Sequence, residues 1–512
     1  MRKNDWLIIA GAIIYCVLFY HQNTGINFLL YSLLLLGFTL FENKELLRQK
    51  SWLAVATGVL ISSLTVFVYG NQFPVLANIV SLILLAGISF KPESSVMIAF
   101  IHAVFSALAS IPIFVICLFN KSGKEESVKV PMGKNILFIL MPLLVSTIFF
   151  FLYRASNPIF DLYAQKLNFD CITWQWVYFF LMGMVLMYAF FNQIILEDIA
   201  KVDNNSPDKL STISHENHLL SWIGQRVNVS SEVFTGVLLF SLLNMLLFAV
   251  NGLDFYYLII LKKLPDGMSL SKFLHNGTNA LIFSILLAVV IILFYFRGFL
   301  NFYKNNFWLK TLSCIWIVQN IILIISVAQR NSIYIAEYGL THKRIGVYYY
   351  LALCVIGLAT TAIKIYAQKS NWFLFRKNSW IFYTVMIVSC LIDWDSVITK
   401  FNIQNFEKDR AMEIDQHYLT DLSHTNLAVL YKYYVVEKKN LKSNNKAYEK
   451  RTSYSSSDSF ETVYNQLDKD SMSVVVEKKY KNLLQEKSEY GWQSFCLSKY
   501  QNLQLVEGMK QP

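Results

Sequence analysis

Charge is what this chain has least of. Only 15% of its 512 residues are charged, whereas a soluble globular domain usually carries about 25%. That deficit excludes an ordinary water-soluble fold for most of the length. Proline is also scarce, at 9 residues, so long helices meet few breaks. The 7 cysteines (Cys16, Cys117, Cys171, Cys314, Cys354, Cys390 and Cys496) form no Cys-x-x-Cys pair and no Cys/His cluster. A disulfide framework and a metal centre are therefore not expected, and the thiols read as small buried hydrophobes.

Enzyme signatures are missing too. Ser122-Gly123-Lys124 lacks the upstream glycine of a phosphate loop, and neither His-Glu-x-x-His nor Gly-x-Ser-x-Gly occurs. The first loop, His21 to Gly25, holds no acid, which counts against a polyprenyl-sugar glycosyltransferase. An ion-coupled transporter would show several acids within its spans or paired broken helices, and neither is evident. No catalytic residue and no cofactor is predicted.

Apolar surface is abundant instead. Hydrophobic residues make up 55% and aromatics 15% of the chain, with a mean hydropathy of +0.41. Lipid offers no partner to free backbone groups, so a crossing helix needs about 20 mostly apolar residues. The runs that meet or approach this are Trp6 to Tyr20, Ile26 to Phe41, Trp52 to Tyr69, Phe73 to Phe90, Ser95 to Phe119 and Ile136 to Tyr153. They continue with Ile172 to Leu196, Glu232 to Val250, Ala280 to Phe296, Trp308 to Gln329, Ile345 to Ala367 and Trp380 to Ile398. Asp254 to Leu261 is too short to cross and reads as an extension or an interfacial helix.

The fold class that follows is all-α, a polytopic transmembrane helix bundle of about 12 spans with a small helical C-terminal soluble domain. No small-x-small cleavage site follows the first run, so it reads as an uncleaved span. Gly58, Ser62 and Ser63, and then Ser106, Ala109 and Ser110, are small residues that permit close helix approach. Pro112 and Pro142 are candidate kinks. The organisation read from the chain is an N-terminal membrane bundle over 1–231, with a polar loop at 197–231. A second membrane region covers 232–398 and a soluble tail 399–512. Within the tail, helices are expected over Met412 to Tyr434, Phe460 to Leu467 and Val474 to Glu486, with a polar linker from Lys438 to Ser459.

Net charge is +11, but it does not mark a nucleic-acid binder. From Thr399 onward there are 17 Lys+Arg against 15 Asp+Glu, which leaves 28 against 19 for the membrane part. The excess lies in short loops, where its natural partner is an anionic lipid surface. Arg2-Lys3 and the Lys44, Arg48, Lys50 loop favour an N-terminus inside, while Lys121, Lys124, Lys129 and Lys134 argue the reverse. An even number of spans returns the tail to the side of the N-terminus.

Polar chemistry is densest at one turn, Arg330 to Arg344. Gly339 suits a left-handed position after one helix, as a hinge, and Thr341 suits the N-cap of the next. Glu337 then lies at a helix C-terminus and Lys343 and Arg344 at a helix N-terminus, each opposing the dipole by roughly 0.3–1 kcal/mol if exposed. Two readings follow. In one, Glu337 pairs with Lys343 or Arg344 and clamps two helices. In the other, Arg330, Lys343 and Arg344 gather round the free N–H groups of the second helix and hold a phosphate-bearing lipid headgroup. Tyr334 and Tyr338 stand beside it as headgroup-level rings. Elsewhere, His102 reads as a structural histidine, Lys364 as a snorkelling lysine, Asp393 and Asp395 as exposed acids at a helix end, and Asp254 as an interface marker.

Tyr-Gly-Leu-Thr-x-x-Arg over 338–344, preceded by Arg330 and Ile333-Tyr334-Ile335, resembles the membrane family known as domain of unknown function 4153, with its sister 4173. The similarity takes in Leu264-Pro265-Asp266-Gly267-Met268-Ser269 upstream. Downstream it takes in Phe401-Asn402-Ile403, Ile414-Asp415, Tyr418-Leu419, Leu422-Ser423 and Trp492, so it covers the half from Glu232 on. It implies an integral protein of the bacterial cytoplasmic membrane, with no role assigned by the family, and carries no catalytic residue. Together these readings predict a non-enzymatic scaffold, sensor or envelope-associated component, in contact with membrane lipids and with membrane or envelope proteins. The alternatives are a transporter or lipid flippase, or a transferase acting on a phosphorylated lipid.

Overall fold

The computed structural model describes residues 3–119, 145–146, 149–150, 152–157, 159–160, 173–194, 196–210, 229–261, 270–296, 299–303, 306–408, 415–436 and 459–510. The apolar runs become helices with ends close to those read from hydropathy: α1 Lys3–Phe19, α2 Ile26–Glu42, α3 Lys50–Tyr69, α4 Gln72–Phe90, α5 Val96–Phe119 and α6 Trp174–Phe191. A short polar helix, α7 Glu197–Asn205, precedes α8 Val229–Phe255, α9 Leu270–Tyr295, α10 Phe307–Tyr338, α11 His342–Tyr366 and α12 Asn371–Cys390. Among the described residues six helices are long and apolar enough to cross a membrane, or seven if a bent pair counts as one span, and four shorter apolar helices accompany them. Among the described residues the architecture is an all-α membrane helix bundle. The run Ile136 to Tyr153, Pro142 and Leu264 to Ser269 lie largely or wholly outside those residues, as does the side chain of Pro112.

Three expectations change. Trp380 to Ile398 is not one helix: α12 ends at Cys390, α13 Trp394–Lys408 begins after three residues, and the pair is bent by 62°. Met412 to Tyr434 is broken into α14 Gln416–Asp421, α15 Leu427–Tyr431 and single turns of 3₁₀ and π helix, while Met412 itself lies outside the described residues. The two helices expected after the linker are one, α16 Ser459–Glu489, followed by α17 Leu497–Lys510. Asp254 to Leu261 continues α8 and passes into a π turn, as an extension.

The chain forms two compact units. The first holds Met1–Lys201, Met386–Asp393 and Ser423–Pro512, and the second holds Val202–Val385 and Trp394–Leu422. In the first unit, α1 and α6 run antiparallel, with Tyr20 bonded to Thr173 at 2.7 Å and Tyr15 stacked on Phe179. Ser62 and Ser63 are buried, and Asn78 Nδ2 donates to Ser62 Oγ at 3.1 Å and Ser32 Oγ at 3.2 Å, a polar knot joining α2, α3 and α4.

The tail is seated on this unit by the segment 491–498. The Phe495 carbonyl accepts the Ile26 N–H at 2.9 Å, the first donor of α2. Ser498 Oγ donates to the Tyr69 carbonyl at 3.2 Å, at the end of α3. Helix ends leave such groups orphaned, and here the tail satisfies them. Gly25 passes so close that a Cβ there would lie 2.5 Å from the Ser494 carbonyl carbon. The α1–α2 and α3–α4 connections lie at the end of the unit opposite Lys3, and the tail docks at that end.

In the second unit, α8 and α10 run parallel along a polar seam: Asn244 Nδ2 reaches the Leu312 carbonyl and Asn251 Nδ2 the Gln319 carbonyl, both at 3.0 Å. Phe240, Ile292, Trp316, Leu323 and Leu358 belong to its apolar core. Lys364 does not snorkel. It is 1% exposed and donates to the Phe296 carbonyl at 2.6 Å, a cation at the C-terminal end of α9, where the helix dipole favours it.

Candidate functional site

The turn from Tyr338 to Thr341 joins α10 to α11 within the second unit, and side chains take four of its backbone groups, the carbonyls of Tyr338 and Gly339 and both groups of Leu340. Gly339 has φ 79° and ψ 177°. The positive φ is as expected, but the extended ψ is not left-handed helix, and only glycine occupies that region at low cost. Thr341 is the N-cap of α11, its hydroxyl accepting from the Arg344 N–H.

Asn402 on α13 faces Leu340 with both halves of its amide. The oxygen accepts the Leu340 N–H at 2.6 Å and the nitrogen donates to the Leu340 carbonyl at 2.9 Å. Only a carboxamide side chain offers donor and acceptor side by side in this way. The His342 N–H, one of the orphan donors of α11, is taken by the Tyr418 hydroxyl at 2.9 Å. Tyr418 is set in place because Asp415 caps its short helix, accepting the Tyr418 N–H at 2.9 Å. Burial raises the Tyr418 phenol above its ordinary pKa, partly offset by the N–H bond from His342.

The cations behave differently from either reading of the sequence. Arg344 lies in the first turn of α11, but its guanidinium turns back and donates to the carbonyls of Tyr338 and Gly339 while lying 4.2 Å above the Tyr334 ring. It thus sits against the negative end of α10, which removes the dipole conflict that its place in the sequence implied. Arg330 is 6% exposed and pairs with Asp254 of α8 at 2.5 Å, and Asp254 also accepts from Ser326. Asn331 Nδ2 donates to the Arg344 carbonyl at 3.0 Å. Glu337 and Lys343 are both exposed, and among the described residues neither has an ion pair. The structure therefore brings Tyr338, Gly339, Thr341 and Arg344 together, leaves Glu337 and Lys343 outside that group, and sends Arg330 to α8.

Asp393 and Asp395 are engaged separately. Asp393 accepts from Thr425 at 2.9 Å in the first unit, and Asp395, buried in the first turn of α13, meets His342 Nε2 at 2.5 Å in the second. Asp254 was read as an interface marker, and Asn331 and Ser326 were passed over. The family resemblance is the one sequence signal for Asn402, and Tyr418 has in addition its place in the helical periodicity of Met412 to Tyr434. Among the described residues no group of three or more His, Cys, Asp or Glu is placed to hold a metal ion.

An all-α bundle with many apolar helices defines the class: a multi-pass membrane protein. The family model described as "Domain of unknown function (DUF4153)" matches residues 30–433, and the chain belongs to that family. The match begins within α2, well upstream of the Glu232 boundary read from motifs, and stops before Trp492. No curated protein and no solved structure matches the chain.

Proposed function

We propose that this chain is a membrane-embedded scaffold whose second unit holds a rigid extramembrane brace, made from the α10–α11 turn, α13 and the segment 415–422. The reciprocal pairing of Asn402 with Leu340 carries this reading, because it commits a buried amide to holding a membrane hairpin rather than to a ligand. Lys343 is the cation of the turn left for anionic headgroups of the membrane, which this reading takes to be the bacterial cytoplasmic one. Such a lysine contributes about 1 kcal/mol. Membrane or envelope proteins are the partners a scaffold would assemble.

Asn402→Ala is expected to lower stability by about 1–3 kcal/mol, since it leaves two part-buried backbone groups unpaired. The check is thermal unfolding of the purified chain in detergent. An unchanged midpoint would refute the brace. A transporter is the second reading, favoured by the Asp254–Arg330 pair and by the bent α12–α13 helices. Solute or lipid flux in reconstituted vesicles that is lost in Asp254→Asn would favour it over scaffolding.

A further inference from the structure

A cleft of about 650 Å³ lies in the first unit, where the tail overhangs the start of α4. Its walls change character from one end to the other. On the tail side stand Lys479, Lys499 and Asn482, and on the membrane side Val75, Leu76 and Ile79. The titratable groups in the wall are two lysines, one carboxylate, Glu486, and His424. Lys499 is held by Glu486 at 2.8 Å, Lys479 by Asn426 at 3.0 Å, and His424 by Ser498 at 3.0 Å.

The membrane side is continuous with lipid. Leu76 and Ile79 are 56% and 44% exposed on a helix apolar enough to span, which leaves both open to the hydrocarbon of a surrounding bilayer. At 1.5 Å per residue, Ile79 lies roughly 10 Å below the start of α4. In the wall between the two ends, the Asn71 side-chain oxygen is buried and has no hydrogen-bond partner among the described residues. It is an acceptor waiting for an N–H or O–H group.

We infer that this cleft holds one glycerophospholipid of the tail-side leaflet, with its phosphate between Lys479 and Lys499 and its acyl chains along Val75, Leu76 and Ile79. A phosphate next to ammonium groups, a headgroup donor opposite an amide oxygen, and hydrocarbon against a lipid-facing helix are the three contacts the cleft offers. The site is independent of the α10–α11 turn.

The test uses the full chain, purified and washed free of loosely held lipid. Bound phospholipid is counted by native mass spectrometry in the parent, in Lys479→Gln with Lys499→Gln, and in Asn482→Trp. The tryptophan fills the cleft from an exposed position without breaking an ion pair. One retained phospholipid per parent chain is expected, with affinity falling about fivefold per lysine removed. Retention is also expected to be lost in the tryptophan variant and kept in Lys479→Arg with Lys499→Arg. Equal retention in the parent and the tryptophan variant would overturn the proposal. In a parallel arm, short-chain phosphatidylglycerol is expected to raise the melting midpoint where inorganic phosphate does not. Equal protection by inorganic phosphate would assign the cleft to a soluble phosphate instead of a lipid.

Discussion

At the scale of single residues, the membrane hairpin is finished by side chains that replace water. Tyr418 is the sharpest case, since its hydroxyl accepts a backbone N–H at the start of α11 and burial holds its proton on. A phenol whose folded pKa lies above the unfolded value of about 10 stabilises the fold below that pH. That contribution is lost as pH rises from the unfolded value through the folded one. Tyr418→Phe is therefore expected to cost about 1–2 kcal/mol at neutral pH, because the His342 N–H loses its acceptor. It should also flatten the part of the alkaline loss that begins above about pH 10. Unfolding midpoints measured from pH 7 to pH 11 in parent and variant would check both effects, and parallel curves would remove Tyr418 from the alkaline limb. None of this was legible from spacing alone, because Tyr418 is 76 residues from His342 and a sequence carries no measure of that distance.

At the scale of elements, the helices were largely legible and their breaks were not. Hydropathy located α2, α3, α4 and α11 to within a few residues, because lipid forces each backbone to close its own hydrogen bonds over an apolar run. The break at 391–393 was hidden inside such a run. Its signal was present in Asp393 and Asp395, since acids crowd the first turn of a helix where the dipole favours them, and Asp395 occupies that place on α13. The charged turn was found, but its partners were misjudged, because a guanidinium has five donors and the free carbonyls ending α10 satisfy it better than an exposed Glu337. The same turn gives a paired prediction. Gly339→Ala forces a side chain into φ 79° and ψ 177° and is expected to destabilise by about 1–3 kcal/mol. Gly346→Ala, inside α11 with open space around the added methyl, is expected to be neutral or to stabilise by up to about 1 kcal/mol. Thermal midpoints of the two variants should move apart, and a similar loss in both would mean that the turn is not the constrained point.

At the scale of the whole chain, the docking of the tail turns the sidedness that loop charges left open into a testable expectation. Lys and Arg are spread almost evenly between alternate loops, so the positive-inside rule had little to act on. Docking is more decisive: Phe495, Ser494 and Ser498 bond to Ile26, Asn23 and Tyr69, all at the connections that follow α1 and α3. A helix that crosses carries its two ends to opposite faces, so with α1 read as a crossing the tail is expected across the membrane from Lys3, and the chain before it is expected to cross an odd number of times. In sealed vesicles, a protease added outside is expected to remove a tag placed before Met1 or a tag placed after Pro512, never both from one orientation. Removal of both together would mean either that α1 does not cross or that the tail does not dock on the α1–α2 connection. Cross-linking a cysteine placed at Gly491 to one placed at Gln22, whose side chain accepts the Gly491 N–H at 3.0 Å, separates those two outcomes.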